Sequence, residues 1–133
     1  MRVILTPDDL KKGDLFDPAW YNSEISKYEE LVVKGTLEKP SDGSMNAIFT
    51  FKITDGVHKG AELKRFFNEK ALGFGKNLWK TLGLPKTADG SYELTTELFQ
   101  KTVGAKLKVY VKRGQNRETN KEFNEVVDFM PLN

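Results

Sequence analysis

Histidine, cysteine and paired carboxylates are the side chains from which most active sites are built, and this 133-residue chain offers little of each. It has no cysteine, which excludes disulfides and thiolate metal sites. Its one histidine, His58, lies beside Lys59 in a turn-like stretch and cannot by itself assemble a triad or a zinc cluster. It reads as a surface turn residue. Asp8-Asp9 and Glu29-Glu30 are adjacent carboxylates. Neighbours on a strand point to opposite faces, so Glu29-Glu30 makes a poor acid–base or metal pair. Gly73-Phe74-Gly75-Lys76 contains part of a phosphate-loop pattern without its spacing, and reads as a flexible helix start. Neither an enzyme, nor a cofactor, nor a metal is expected.

Binding chemistry is better represented. Residues 105–113 alternate strictly, with Leu107, Val109 and Val111 on one face and Lys106, Lys108, Tyr110 and Lys112 on the other. Three cations around one aromatic ring suit a stacked base beside a phosphate backbone. A plainer role is also open, since lysines on a strand face keep a sheet soluble. Charge distribution favours binding. Residues 1–60 hold 8 Lys/Arg against 10 Asp/Glu, and residues 61–133 hold 13 against 9. Within 101–121 there are seven bases and one acid, Glu118, whereas 8–30 has seven acids and three bases. A basic segment in a chain of net charge +2 points to a polyanion-binding patch. The acidic segment reads as a solvated entry.

The elements that must position these residues follow from periodicity. Residues 1–17 form an extended lead-in, with Pro7 and Pro18 as breakers and at most one helical turn at Asp8-Asp9-Leu10. Residues 19–33 read as a long, bent first strand in which Tyr21, Ile25, Leu31 and Val33 share one parity and a bulge interrupts the pattern. A loop at 35–44 leads to a second strand at 45–54, with Ala47, Phe49, Phe51 and Ile53 inward and Ile48, Thr50, Lys52 and Thr54 outward. Asp55-Gly56 turns the chain into a third strand at 61–67, where one of Phe66 and Phe67 faces inward and the helix is expected to cover the other. Asn68 is placed to cap a helix carrying Leu72, Leu78, Trp79 and Leu82, with Gly83 to stop it. A second short helix begins at Thr95 or Thr96 and buries Leu98, Phe99 and Val103. Strand four is 105–113, and strand five, 122–130, turns Phe123, Val127 and Phe129 inward.

Three strands, a helical insertion and two more strands is the order of an all-β OB-fold, a five-stranded Greek-key barrel with a helix between strands three and four. The expected division is a lead-in at 1–17 and a single domain at 18–133. In such a barrel the binding face spans strands two and three, rimmed by the one–two and four–five loops. Candidates there are Lys52, Lys64 and Phe66 on the strands and Lys34 and Lys39 in the first loop. Arg113, Arg117 and Lys121 lie around the last turn, with Gln115, Asn116 and Asn120 as hydrogen-bonding groups. Lys106, Lys108, Tyr110 and Lys112 add strand four, and Tyr28 or Trp20 could also stack bases.

The Trp20-Tyr21 pair, Gly60 leading to Phe66-Phe67-Asn68, Leu82-Gly83-Leu84, and Asn124 with Phe129 give the chain a family likeness. Over about residues 18–131 it resembles small tailed-phage OB-fold proteins that bind single-stranded DNA. The resemblance implies sequence-tolerant binding of single-stranded DNA in phage-type replication, recombination or repair. It also implies replication or recombination proteins as further partners. Residues 126–133 carry one charge, Asp128, so recruitment through an acidic tail is not expected. The apolar run at 3–5 is too short for a signal peptide or a membrane span, and a cytoplasmic location, the host's if phage-encoded, is expected. The rival reading is a barrel that serves protein interaction or virion assembly, its lysines only keeping the sheet soluble.

Overall fold

A computed structural model describes residues 1–7 and 14–132. The helical turn expected at Asp8, Asp9 and Leu10 lies outside the described residues. Alternating apolar residues produce five strands: β1 (Ala19–Val32), β2 (Met45–Ile53), β3 (Glu62–Asn68), β4 (Lys106–Gln115) and β5 (Glu122–Met130). All pair antiparallel in one sheet of order β3-β2-β1-β4-β5. The unusual length of β1 has a cause. Its first part, Ala19 to Glu24, pairs with β4, and from Ser23 to Val32 it pairs with β2. β3 and β5 form the two edges, and they approach each other: Arg65 Nη1 lies 3.5 Å from the Val126 carbonyl oxygen, and the Phe67 and Phe129 rings are 6.4 Å apart.

Ile25, Phe49, Phe51, Leu107, Val109 and Val111 are fully buried on the inner face. The insertion between β3 and β4 closes one end of this core. Asn68 Oδ1 accepts from the Lys70 N–H at 3.0 Å and starts a 3-10 helix, Glu69–Gly75, followed by α1 (Lys76–Thr81). Trp79 of α1 reaches Phe49, Phe67 and Phe99 at ring distances of 5.8, 5.3 and 5.0 Å, and its Nε1–H donates to the Leu72 carbonyl. Gly75 makes this packing possible, because a Cβ there would sit 2.4 Å from the indole. The helix stops at Gly83, which takes φ +65° at no steric cost. α2 (Thr96–Gln100) is capped by Thr95 Oγ1, which accepts from the Leu98 N–H at 3.1 Å, and it buries Phe99.

Several inside–outside assignments change, each for a local reason. The expected bulge falls between Ile25 and Lys27 and breaks the parity of β1. Tyr28 therefore enters the core, and Leu31 turns out to solvent. A second irregularity lies opposite Tyr110 and Val111, where the register skips Val127. Val126, not Val127, is consequently buried on β5 together with Phe129, and Phe123 is exposed. On β2, Ile48 and Thr50 keep their outward parity but are fully buried, flanked on that face by Lys27, Glu29, Lys64 and Phe66. Phe66 is not covered by the helix and remains 53% exposed. After α2 it is Thr102 that is buried, and Val103 is exposed.

The described end of the lead-in, residues 14–17, is packed onto the sheet. Phe16 is buried, stacked on His58 at 3.8 Å and edge-on to Tyr21 at 4.9 Å. His58 is thus a packing residue of the β2–β3 turn. Asn124 clamps the same segment at two points: its Oδ1 accepts from the Phe16 N–H at 2.8 Å, and its Nδ2 donates to the Asp14 carbonyl at 2.9 Å. Among the described residues no helix is long and apolar enough to cross a membrane.

Candidate nucleic-acid interface

The outer face of β4 is set by the buried residues beneath it. Leu107, Val109 and Val111 point into the core, so Lys106, Lys108, Tyr110 and Lys112 must point out. Register then chooses their neighbours. On β1, Glu24 lies opposite Lys106, Asn22 opposite Lys108 and Trp20 opposite Tyr110. On β5, Met130 lies opposite Lys108, Asp128 opposite Tyr110 and Glu125 opposite Lys112. Trp20 and Tyr110 meet edge to face with centroids 5.3 Å apart, and Trp20 is 40% exposed. Among the described residues none of the three lysines has a carboxylate within ion-pair distance. The result is a partly exposed aromatic step of two rings set edge to face, flanked by ammonium groups outside any ion pair among the described residues. It can stack a base and contact the adjoining phosphates.

The outer face of β2 and β3 brings Lys52, Lys64 and Phe66 together, in different company. Lys64 Nζ lies 3.5 Å from Glu29 Oε1, and Lys27 Nζ lies 3.6 Å from Glu29 Oε2. Lys52 sits in register between Glu24 and Glu62. Phe66 is the exposed ring of this face, opposite the buried Ile48.

Other candidates serve the fold. Arg113 has the inward parity of Val111 and does not share the lysine face. Its Nε donates to the Phe16 carbonyl at 3.1 Å, and its Nη2 lies 3.4 Å from Asp17 Oδ1. Tyr28 cannot stack a base: it is 6% exposed between Phe49 and Phe99, and its hydroxyl donates to Glu30 at 2.9 Å. Burial, and then this bond to a carboxylate, push the phenol above its ordinary range. Arg117 and Lys121 are exposed in the β4–β5 turn, but the amides beside them are occupied. Asn116 Oδ1 accepts from the Glu118 and Thr119 N–H groups, Gln115 donates to the Asn120 carbonyl, and Asn120 adopts φ +57°. Lys34 and Lys39 are exposed in the β1–β2 loop, beyond the last residue of β1, whereas the β4–β5 turn lies beyond its first. That loop is tied down by Asp42, which bonds Lys70 at 2.7 Å and the Ser44 N–H at 2.9 Å. The Lys70 bond, aided by Ser44, holds the Asp42 carboxyl well below the usual range and raises Lys70 in return.

The sequence missed one pairing on this surface. Asn77 of α1 donates through Nδ2 to Asp128 Oδ1 at 2.9 Å, across 51 residues. Nothing local in either segment signals it. Among the described residues no group of His, Asp and Glu could hold a metal ion. Comparison with models of known protein families and with curated proteins finds no match.

Proposed function

We propose that this protein is a non-enzymatic, OB-type barrel that binds single-stranded DNA with little sequence preference. It would hold or protect strands in phage-type replication, recombination or repair. Support for the barrel comes from the strand order and from the approach of the β3 and β5 edges at Arg65 and Val126. The observation that carries the binding reading is the Trp20–Tyr110 step flanked by Lys106, Lys108 and Lys112 with no ion-pair partners among the described residues. Stacking on two rings is tolerant of sequence because every base has a π face, and the cations add an electrostatic term along the backbone.

The test is a fluorescence-polarisation titration with labelled oligo-dT at low and moderate salt. Binding should weaken steeply as salt rises, because lysines on the protein displace condensed counterions. Absence of binding at low salt would overturn the proposal. Single-stranded RNA and duplex DNA in the same assay define the preferred form, with single-stranded DNA expected to bind tightest. One observation favours the rival role in protein interaction: Phe66 stands exposed on a face whose ion pairs are already made. That reading predicts no oligonucleotide binding at all.

A further inference from the structure

Beside the aromatic step lies a cleft of about 460 Å³, lined by Trp20, Asn77, Lys80, Asp128, Met130 and Pro131. Its volume falls in the range of small-ligand pockets, roughly 300–1,000 Å³. Three elements meet there: β1 supplies the indole, β5 supplies Asp128, and α1 supplies Asn77 and Lys80, which share a helix face three residues apart. The β5 irregularity that skips Val127 puts Asp128 opposite Tyr110, in the row that begins with Trp20.

The polar atoms in this cleft have a defined polarity. Asp128 Oδ1 is held twice, by Asn77 Nδ2 at 2.9 Å and by the Phe129 N–H at 2.8 Å. Among the described residues Oδ2 has no hydrogen-bond partner. Because only the NH₂ of Asn77 can face a carboxylate oxygen, its own carbonyl oxygen is left as an acceptor. The cleft thus presents two acceptors beside an aromatic wall, with the Lys80 ammonium as a donor. Its ligand should be flat and carry two neighbouring donors next to an acceptor. Among the four bases only guanine has such an edge, with N1–H and N2–H₂ side by side and O6 beyond them. Cytosine and adenine offer one amine next to ring acceptors, and thymine sets two carbonyls around one N–H, which a carboxylate repels.

We infer that this cleft is a guanine-preferring subsite, in which the base stacks on Trp20, donates to Asp128 and Asn77, and takes a hydrogen bond or phosphate contact from Lys80. The inference rests on the single-stranded-DNA reading above and adds to it one position of base preference. Locking Asp128 by two bonds before the base arrives gives the site its selectivity, since the acceptors need no rearrangement.

The experiment uses the full chain and labelled dT oligonucleotides carrying one central dG, dI, dA or dC. The dG oligonucleotide should bind about tenfold tighter than all-dT, the scale of a good two-point base contact. Inosine lacks the N2 amine and should lose most of that gain, and dA and dC should match dT. Asp128→Asn replaces the free acceptor with an amide edge and removes a negative charge opposite Tyr110; it should bind dT at least as tightly as the wild type and lose the dG preference. Asn77→Ala, at an exposed helix position, should reduce the preference in the same way. Equal affinity of the wild-type protein for all five oligonucleotides overturns the guanine subsite and leaves the DNA-binding reading standing. So does an unchanged dG preference in Asp128→Asn. Failure to bind any oligonucleotide overturns the parent reading and this one with it.

Discussion

Two outward faces of the same sheet carry lysines and an exposed ring, and they differ in what surrounds them. On the β2–β3 face Glu29 bridges Lys27 and Lys64, Lys52 lies between Glu24 and Glu62, and Phe66 stands alone. On the β4 face Lys108 lies between Asn22 and Met130, and Tyr110 has Trp20 as a ring neighbour. A phosphate approaching the first face must displace Glu29 from Lys27 and Lys64. One approaching the second meets Lys106 and Lys112 with Glu24 and Glu125 opposite them in register, but among the described residues no ion pair has to be broken. Composition cannot tell these faces apart; register can. Under the proposed function, this difference favours a strand path along β4 and β1, beside the β2–β3 face that OB-fold barrels generally use.

The largest effect should come from a residue on neither face. Trp79→Ala removes the indole that plugs the core beneath both, and should cost about 3–5 kcal/mol of stability in urea denaturation. Affinity for oligo-dT, measured on the fraction still folded, should stay unchanged. A loss of affinity without a loss of stability would put Trp79 in the binding site and dissolve the comparison. Next come the rings. Tyr110→Ala and Trp20→Ala should each weaken oligo-dT binding by roughly 1–3 kcal/mol, the usual worth of a base–aromatic stack. Phe66→Ala should leave it within twofold. The reverse pattern would move the site to β2 and β3.

How far the sequence reached depends on whether a signal was periodic or long-range. The alternation of Leu107, Val109 and Val111 against Lys106, Lys108, Tyr110 and Lys112 was legible because a strand's parity is local, and all three apolar residues are fully buried. The caps at Asn68 and Thr95 and the stop at Gly83 were legible for the same reason. Parity failed across each bulge, at Tyr28 and Leu31 after the one in β1 and at Val126 and Phe123 before the one in β5, because one extra residue inverts one side relative to the other and leaves no mark in composition. Arg113 shows a different limit. A basic residue in a basic segment looks like a DNA contact, and only the fold shows the Phe16 carbonyl that takes its hydrogen bond. The Asn77–Asp128 pair, 51 residues apart, could not have been read at all.

Arg113 also gives the third and smaller effect. Arg113→Gln removes the bond to Phe16 and the contact with Asp17, in a side chain 43% exposed. Stability should fall by about 1.5 kcal/mol, the lower end for hydrogen bonds involving charged groups. The salt dependence of DNA binding should not change. A fall in its slope of roughly 0.7, the contribution of one phosphate contact on a single strand, would return Arg113 to the interface.

Charge gives the finest distinction between the two faces. Lys108→Gln and Lys112→Gln should each reduce the slope of log affinity against log salt by roughly 0.7, whereas Lys52→Gln and Lys64→Gln should leave it unchanged. Stability will say little, since exposed ion pairs such as Lys64–Glu29 are worth about 0–1 kcal/mol. The informative variant is therefore Glu29→Gln. It removes one carboxylate and frees two lysines, Lys27 and Lys64, without touching β4. If compensation is what silences the β2–β3 face, Glu29→Gln should steepen the salt slope and tighten oligo-dT binding at low salt, with little change in the unfolding midpoint. If neither moves, Glu29 is not what keeps DNA off that face, and the edge-to-face rings of Trp20 and Tyr110, rather than the balance of charge, decide where the strand lies.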